Sequence, residues 1–181
     1  MEITVIHGQS HKGSTYHATQ EIMQGLCDDN TIIHEFFLPK DGPEFCVGCF
    51  RCIMEGESGC PHYDSVTRIV KAMEHSDIII VDSPTYVFEM TGQLKTLFDH
   101  LSYMWLSHRP NKTMFKKTGI VVTTAAGAGM KRAAKSVSNQ LLWLGVPARY
   151  TMPIAVNASS WEEVSPEIKK KIRKKAVNIV T

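Results

Sequence analysis

Ile3-Thr4-Val5-Ile6-His7-Gly8-Gln9-Ser10-His11-Lys12-Gly13-Ser14-Thr15 opens the chain with an apolar strand that runs into a polar loop, and a helix follows at once. A buried strand ending in a Gly/Ser/Lys loop at a helix start suits an anionic phosphate. The first turn of a helix offers unpaired N–H groups and about half a positive charge. Gly8 and Gly13 allow a sharp turn and close approach to a ligand. Ser10, Ser14 and Thr15 supply hydroxyls, His11 an imidazole, and Lys12 a full charge. The loop is neither a Walker A motif nor the Gly-x-Gly-x-x-Gly dinucleotide fingerprint. Taken alone, it also reads as an ordinary strand-to-helix turn.

Working outward, Ala18, Ile22 and Leu26 place one apolar stripe on a helix over residues 14–27. Residues 31–38 read as a second strand, and residues 39–62 as a long irregular excursion. Asp64 is the expected N-cap of a helix whose buried face carries Val66, Ile69, Val70 and Met73. The β-branched run at 77–81 has the pattern of a parallel strand covered on both faces. It ends in a loop holding Asp82, Ser83, Pro84, Thr85, Tyr86, Val87 and Phe88. Thr91 is the expected cap of a long helix with Leu94, Leu97, Phe98, Leu101 and Trp105 on one face. A strand over 119–124 leads into the small-residue loop Ala125-Ala126-Gly127-Ala128-Gly129. A helix with Ala133, Val137, Leu141 and Leu144 stops at Gly145 and Pro147. Residues 148–156 read as the last strand. Ser165-Pro166 starts a final basic helix, along which Ile168, Ile172, Ala176 and Ile179 run an apolar stripe.

Five strands alternating with helices predict an α/β, three-layer fold: a five-stranded parallel sheet with helices on both faces. Three small-residue loops fall at carboxyl ends of strands, where such sheets bind ligands at the reversal of strand order. The flavodoxin-like order 2-1-3-4-5 sets the first and third strands side by side, so that their loops share one crevice. The 181 residues suit one domain. The formal net charge of +2 gives no reason to expect a nucleic-acid partner. No apolar run approaches the ~20 residues that span a bilayer. A basic leader followed by an apolar core is missing, so the expected location is cytoplasmic, where thiols stay reduced.

These residues resemble the flavodoxin-like NAD(P)H-dependent FMN oxidoreductases over almost the whole chain. Gly8-Gln9-Ser10-His11-Lys12-Gly13-Ser14-Thr15 resembles that family's Gly-Ser-x-Arg-x-Gly-Ser-Asn-Thr loop. Ser83-Pro84-Thr85-Tyr86 resembles its Ser-Pro-x-Tyr loop. Gly92-Gln93-Leu94-Lys95-Thr96-Leu97-Phe98-Asp99-His100 resembles its Leu-Lys-x-Phe-x-Asp-Arg helix. The resemblance implies that Ser10, His11, Lys12, Gly13, Ser14 and Thr15 hold the FMN phosphate. It implies that Pro84, Thr85, Tyr86, Val87 and Phe88 face the flavin ring, and that Thr124, Ala125, Ala126, Gly127 and Gly129 lie along its other edge. Backbone N–H groups of these loops would meet flavin N5 and O4. His11 stands where relatives often carry Arg, a weaker phosphate partner that Lys12 offsets.

The cysteines Cys46-x2-Cys49-x2-Cys52-x7-Cys60-Pro61 resemble the cluster loop of the iron–sulfur flavoproteins. Their spacing fits a 4Fe–4S cluster, and four thiolates equally make a closed zinc site. A metal-free loop with thiols packed as small apolar groups is the third reading. Cys27, at a helix end, reads as structural.

The function implied is an FMN-dependent reductase that takes electrons from NAD(P)H, stacked transiently on the flavin, and passes them to a quinone, nitro, azo or other small acceptor. An electron carrier between proteins and a cysteine-based sensor are the alternatives. No cluster suggests a dedicated acid or base, as expected where the cofactor carries the chemistry. The aromatic segment Tyr103-Met104-Trp105-Leu106, ending in Ser107-His108-Arg109-Pro110, predicts a homodimer.

Overall fold

The β-branched strands and amphipathic helices assemble into the expected sandwich. The computed structural model describes residues 1–158 and 160–180, with side chains described up to residue 176. Five strands, β1 (Glu2–His7), β2 (Ile32–Phe37), β3 (Ile78–Pro84), β4 (Thr118–Ala125) and β5 (Ala148–Ala155), form one parallel sheet in the order β2-β1-β3-β4-β5.

Strand periodicity divides the core between the two faces. Ile3, Val5, Ile78, Ile80, Ile120 and Val122 point to one face, under α1 (Ser14–Leu26) and α7 (Pro166–Val180). Ile6, Ile79, Val81 and Val121 point to the other, under α3 (Tyr63–His75), α4 (Gly92–His100) and α6 (Met130–Trp143). Completely burying an Ile or Leu contributes about 1.5–3 kcal/mol, so the central strands anchor everything attached to their ends. Ile172 and Ala176 bury the stripe of α7, and Ser165 Oγ accepts from the N–H of Ile168 at its start. The side chain of Ile179 lies outside the described residues.

Three local expectations are corrected and one, the Thr91 cap, holds. The excursion 39–62 contains two short helical pieces, α2 (Arg51–Met54) and a 3-10 turn (Glu57–Gly59). The cap of α3 is His62, and Asp64 sits inside the first turn, where its charge still meets the positive end of the helix. Thr91 does cap α4, accepting from Leu94 N–H at 3.3 Å. The long helix after it is interrupted beyond His100 and resumes as α5 (Tyr103–Leu106). That break re-aims the stripe: Tyr103 and Met104 are buried while Trp105 is 42% exposed.

Candidate functional site

Loops at the carboxyl ends of β1, β3 and β4 converge on a crevice of about 450 Å³. His11, Lys12, Gly13, Ser14 and Thr15 form one end of it, at the start of α1. Gly13 is the N-cap of α1 and provides no side-chain cap, leaving the first-turn N–H groups to whatever enters. Gly8 makes the tight approach possible: its N–H donates to Asp82 O at 2.8 Å, and a Cβ there would stand 2.7 Å from that same oxygen. Thr91 Oγ1 donates to Gly8 O at 2.6 Å, tying the loop to the cap of α4.

Pro84, Thr85 and Tyr86 form a second wall, and Thr124, Ala125 and Ala126 a third. The walls are joined where Thr85 N–H donates to Thr124 O at 2.9 Å and where the hydroxyls of Thr15 and Thr124 meet at 2.6 Å. Among the described residues, the buried Thr85 hydroxyl has no hydrogen-bond partner. A buried hydroxyl in that state is costly, and a bound polar group would satisfy it.

Other expected site residues stand elsewhere. Ser10 does not line the crevice; its hydroxyl donates to Leu38 O at 2.9 Å and braces the loop against the end of β2. Val87 and Phe88 form the tip of a tight turn closed by paired Tyr86 and Glu89 backbone bonds. Both have positive φ, 49° and 66°, and Val87 is 93% exposed. A β-branched residue in the left-handed region is strained, so an exposed apolar pair is held at the rim at some energetic cost. Gly127 and Gly129 also lie outside the lining. Gly129, at φ 89°, lets Phe88 and Thr85 pack within about 3 Å of where a Cβ would be.

The sequence reading missed the fourth wall. Val156, Ser160, Trp161 and Glu162 come from beyond β5. Trp161 stacks on His17 of α1 at 5.8 Å, and Lys169 Nζ sits 5.0 Å over its ring. The signal available was an indole just past a strand's carboxyl end, where ligands of such sheets gather.

The cysteines lie apart from this crevice. Cys46 and Cys49 are exposed, Cys52 and Cys60 half-buried, and all are free thiols. Among the described residues, no group of three or more His, Cys, Asp or Glu side chains is placed to hold a metal ion. Cys60 Sγ is 3.6 Å from His100 Nδ1, and His100 Nε2 donates to Glu44 O at 2.8 Å. Burial keeps the His100 pKa below the usual imidazole value. Cys52, Cys60, His100 and Tyr103 border a separate cavity of about 330 Å³. Among the described residues, no helix is long and apolar enough to cross a membrane.

Residues 1–161 match the model of the NADPH-dependent FMN reductase family. The chain belongs to that family. This member of the NADPH-dependent FMN reductase family is 32% identical over 114 residues to an iron–sulfur flavoprotein of Archaeoglobus fulgidus, covering 62% of this chain and 49% of the relative. It is 30% identical over 148 residues to an iron–sulfur flavoprotein of Clostridioides difficile, covering 78% and 62%. The chain thus spans about half to three-fifths of the length of these curated relatives. Its fold is similar to that of an azoreductase from Bacillus anthracis strain Sterne, with a TM-score of 0.75, 11% identity, and 98% and 99% of the two chains covered. For this FMN reductase family member, that likeness concerns the fold alone.

Proposed function

We propose that residues 1–181 form one FMN-binding domain of a cytosolic, FMN-dependent NAD(P)H oxidoreductase that reduces a quinone, nitro, azo or other small acceptor. The observation that carries the reading is the junction of the uncapped start of α1 with Lys12 at one end of the crevice. One phosphomonoester would be held there by the first-turn N–H groups, Ser14, Thr15 and Lys12. Pro84, Thr85 and Tyr86 would position the ring on one side and Thr124, Ala125 and Ala126 on the other. The unpartnered Thr85 hydroxyl supports this placement, and the exposed Val87–Phe88 tip would shield the ring from water. When bound, FMN supplies the redox chemistry, accepting two electrons from NAD(P)H and passing them to the acceptor. The test is steady oxidation of NADH or NADPH by FMN-loaded protein with a quinone or azo dye. Reduction only by a partner protein, with no steady NAD(P)H oxidation, would instead favour an electron carrier.

A second reading concerns the cysteine loop. The Cys52 thiol is pushed up by burial, and then by Cys60, Cys46 and Cys49, which all lie within electrostatic reach of it. Apart from that, the spacing Cys46-x2-Cys49-x2-Cys52-x7-Cys60 and the names of the two relatives support a 4Fe–4S cluster on these four thiols. Protein purified anaerobically and reconstituted with iron and sulfide is expected to retain iron, and Cys49→Ser to lose it while still binding flavin. Finding neither iron nor zinc in the wild type after that treatment would leave the metal-free loop as the answer.

The oligomer proposed is a homodimer. Trp105 and Trp143 are 42% and 57% exposed, with ring centroids 5.5 Å apart, and the neighbouring Leu106 and Leu142 are exposed as well. An exposed aromatic and aliphatic patch of this kind is typical of an interface core. Sedimentation at micromolar concentration is expected to show a dimer, and Trp143→Arg a monomer. A monomeric wild type would overturn this assignment.

A further inference from the structure

His7 is the last residue of β1 and is 1% exposed. The sheet register sets it level with Phe37 on β2 and Asp82 on β3. Its Nδ1 meets Asp82 Oδ2 at 2.6 Å and its Nε2 meets Glu35 Oε1 at 3.1 Å. Two carboxylates on the two ring nitrogens require both to carry protons, so the ring is an imidazolium. Thr19 Oγ1 donates to Asp82 at 2.7 Å, and Gln20 Nε2 to Glu35 at 3.2 Å.

Above this pair lies the phosphate loop. The His7 ring stacks on Phe37 at 4.4 Å and tilts against Tyr16 at 5.3 Å. Lys12 Nζ rests over the same two rings, 4.9 Å from the Tyr16 centroid and 5.4 Å from that of Phe37. The field of Lys12 reaches Glu35 as well and helps keep its carboxyl below the usual range, after the larger effect of the His7 hydrogen bond. The titratable groups facing His7 are therefore Asp82 from β3, Glu35 from β2, Tyr16 from α1 and Lys12 from the loop. Glu35 is hydrogen-bonded to one cation, His7, and feels the field of a second, Lys12, and only Lys12 belongs to the phosphate site.

We propose that His7 is a positioning residue for phosphate binding: it holds the Glu35 carboxylate and so leaves the Lys12 ammonium to the ligand. The inference rests on the FMN reading above. When the imidazolium loses its proton, the remaining one stays on Nδ1, in the shorter bond to Asp82. The Nε2 lone pair then faces the Glu35 carboxylate, acceptor against acceptor. Glu35 is released to Lys12, which is drawn from the phosphate. Burial by itself would lower the His7 pKa, but the hydrogen bonds of Asp82 and Glu35 outweigh it and hold it at about 9. The competition therefore begins on the alkaline side.

The test is fluorescence titration of FMN and of riboflavin between about pH 7 and pH 10. It uses wild type, Glu35→Gln, His7→Asn and the double variant. Wild type is expected to lose about tenfold in FMN affinity as His7 titrates, the size of one charge-assisted hydrogen bond, with riboflavin unchanged. Glu35→Gln should abolish that loss, because an amide does not compete for Lys12. His7→Asn should bind FMN about tenfold more weakly at neutral pH, and adding Glu35→Gln should restore it. A purely structural role would not give that rescue. An alkaline loss equally large in Glu35→Gln, or a double variant as weak as His7→Asn, would overturn the proposal. If His7→Asn does not fold, wild type against Glu35→Gln decides alone. Wild type that binds FMN with no sensitivity to Lys12→Ala would overturn the phosphate placement and this inference with it, while leaving FMN binding intact. Wild type that binds no FMN at all would overturn both readings.

Discussion

Lys12→Ala is expected to weaken FMN binding by roughly tenfold to a hundredfold while riboflavin binding stays nearly constant. A charge-assisted hydrogen bond to phosphate contributes on the order of 1.5–3 kcal/mol, which converts to that range. Lys12 is well prepared for the role. Its ammonium rests over the Tyr16 and Phe37 rings, and Lys12 itself lines the crevice. Ser14→Ala should act in the same direction, since Ser14 opens α1 and lines the same end. Ser10→Ala should behave differently. Its hydroxyl is engaged by Leu38 O, so the change should loosen the loop and affect FMN and riboflavin alike. Equal losses of FMN and riboflavin in Lys12→Ala would mean that the loop supports the fold and the phosphate sits elsewhere.

Asp82→Asn is expected to lower the unfolding free energy by about 3–5 kcal/mol, the usual cost of breaking a buried ion pair from one side. Domains of this size are commonly stable by only about 5–15 kcal/mol, so the variant should unfold at much lower urea. The pH dependence carries the same information. The His7 pKa is raised in the folded state, to about 9 from an ordinary 6.5. Its contribution to stability is therefore complete below 6.5 and lost as pH rises through about 9. A shift of that size corresponds to about 3 kcal/mol. Glu35 works on the other side. Its pKa is lowered, chiefly by the His7 hydrogen bond, so its contribution is present above the ordinary carboxylate value and lost as pH falls through the lowered one. Urea unfolding of wild type from neutral to alkaline pH should show the fall, and Asp82→Asn should flatten it. A wild-type stability that is level across that window would mean that His7 is neutral in the fold.

Much of this molecule was readable along the chain. The runs Ile78-Ile79-Ile80-Val81 and Ile120-Val121-Val122 are β-branched without interruption, which suits only strands covered on both faces. Helices between them force parallel pairing by right-handed crossovers. The loop ending in Gly13-Ser14-Thr15 sits where a strand meets a helix start, so its place at the crevice follows from local order alone. Boundaries set by packing were less legible. The interruption between α4 and α5 leaves the stripe spacing intact on paper, yet it turns Trp105 outward. Spacing along the chain likewise did not show that Val87 and Phe88, read as ring contacts, sit in a turn with positive φ and are exposed.

Glu35 shows most clearly what separates the two kinds of information. As a lone acid about twenty residues past the first loop, within an apolar strand, it gave no reason to be assigned a role. Its role depends on register: β1 must lie between β2 and β3, with His7 level with Phe37 and Asp82. Only then do two carboxylates meet one ring beneath Lys12. Trp161 is the same case, joining the crevice because β5 returns the chain beside α1. By itself the sequence determined the strands, the helices and the phosphate-type loop, because periodicity and turn chemistry act over a few neighbouring residues. Tertiary structure alone decided the His7 charge pair, the Trp161 wall and the open arrangement of Cys46, Cys49, Cys52 and Cys60. Those depend on distances between residues far apart in the chain, which spacing along it does not specify.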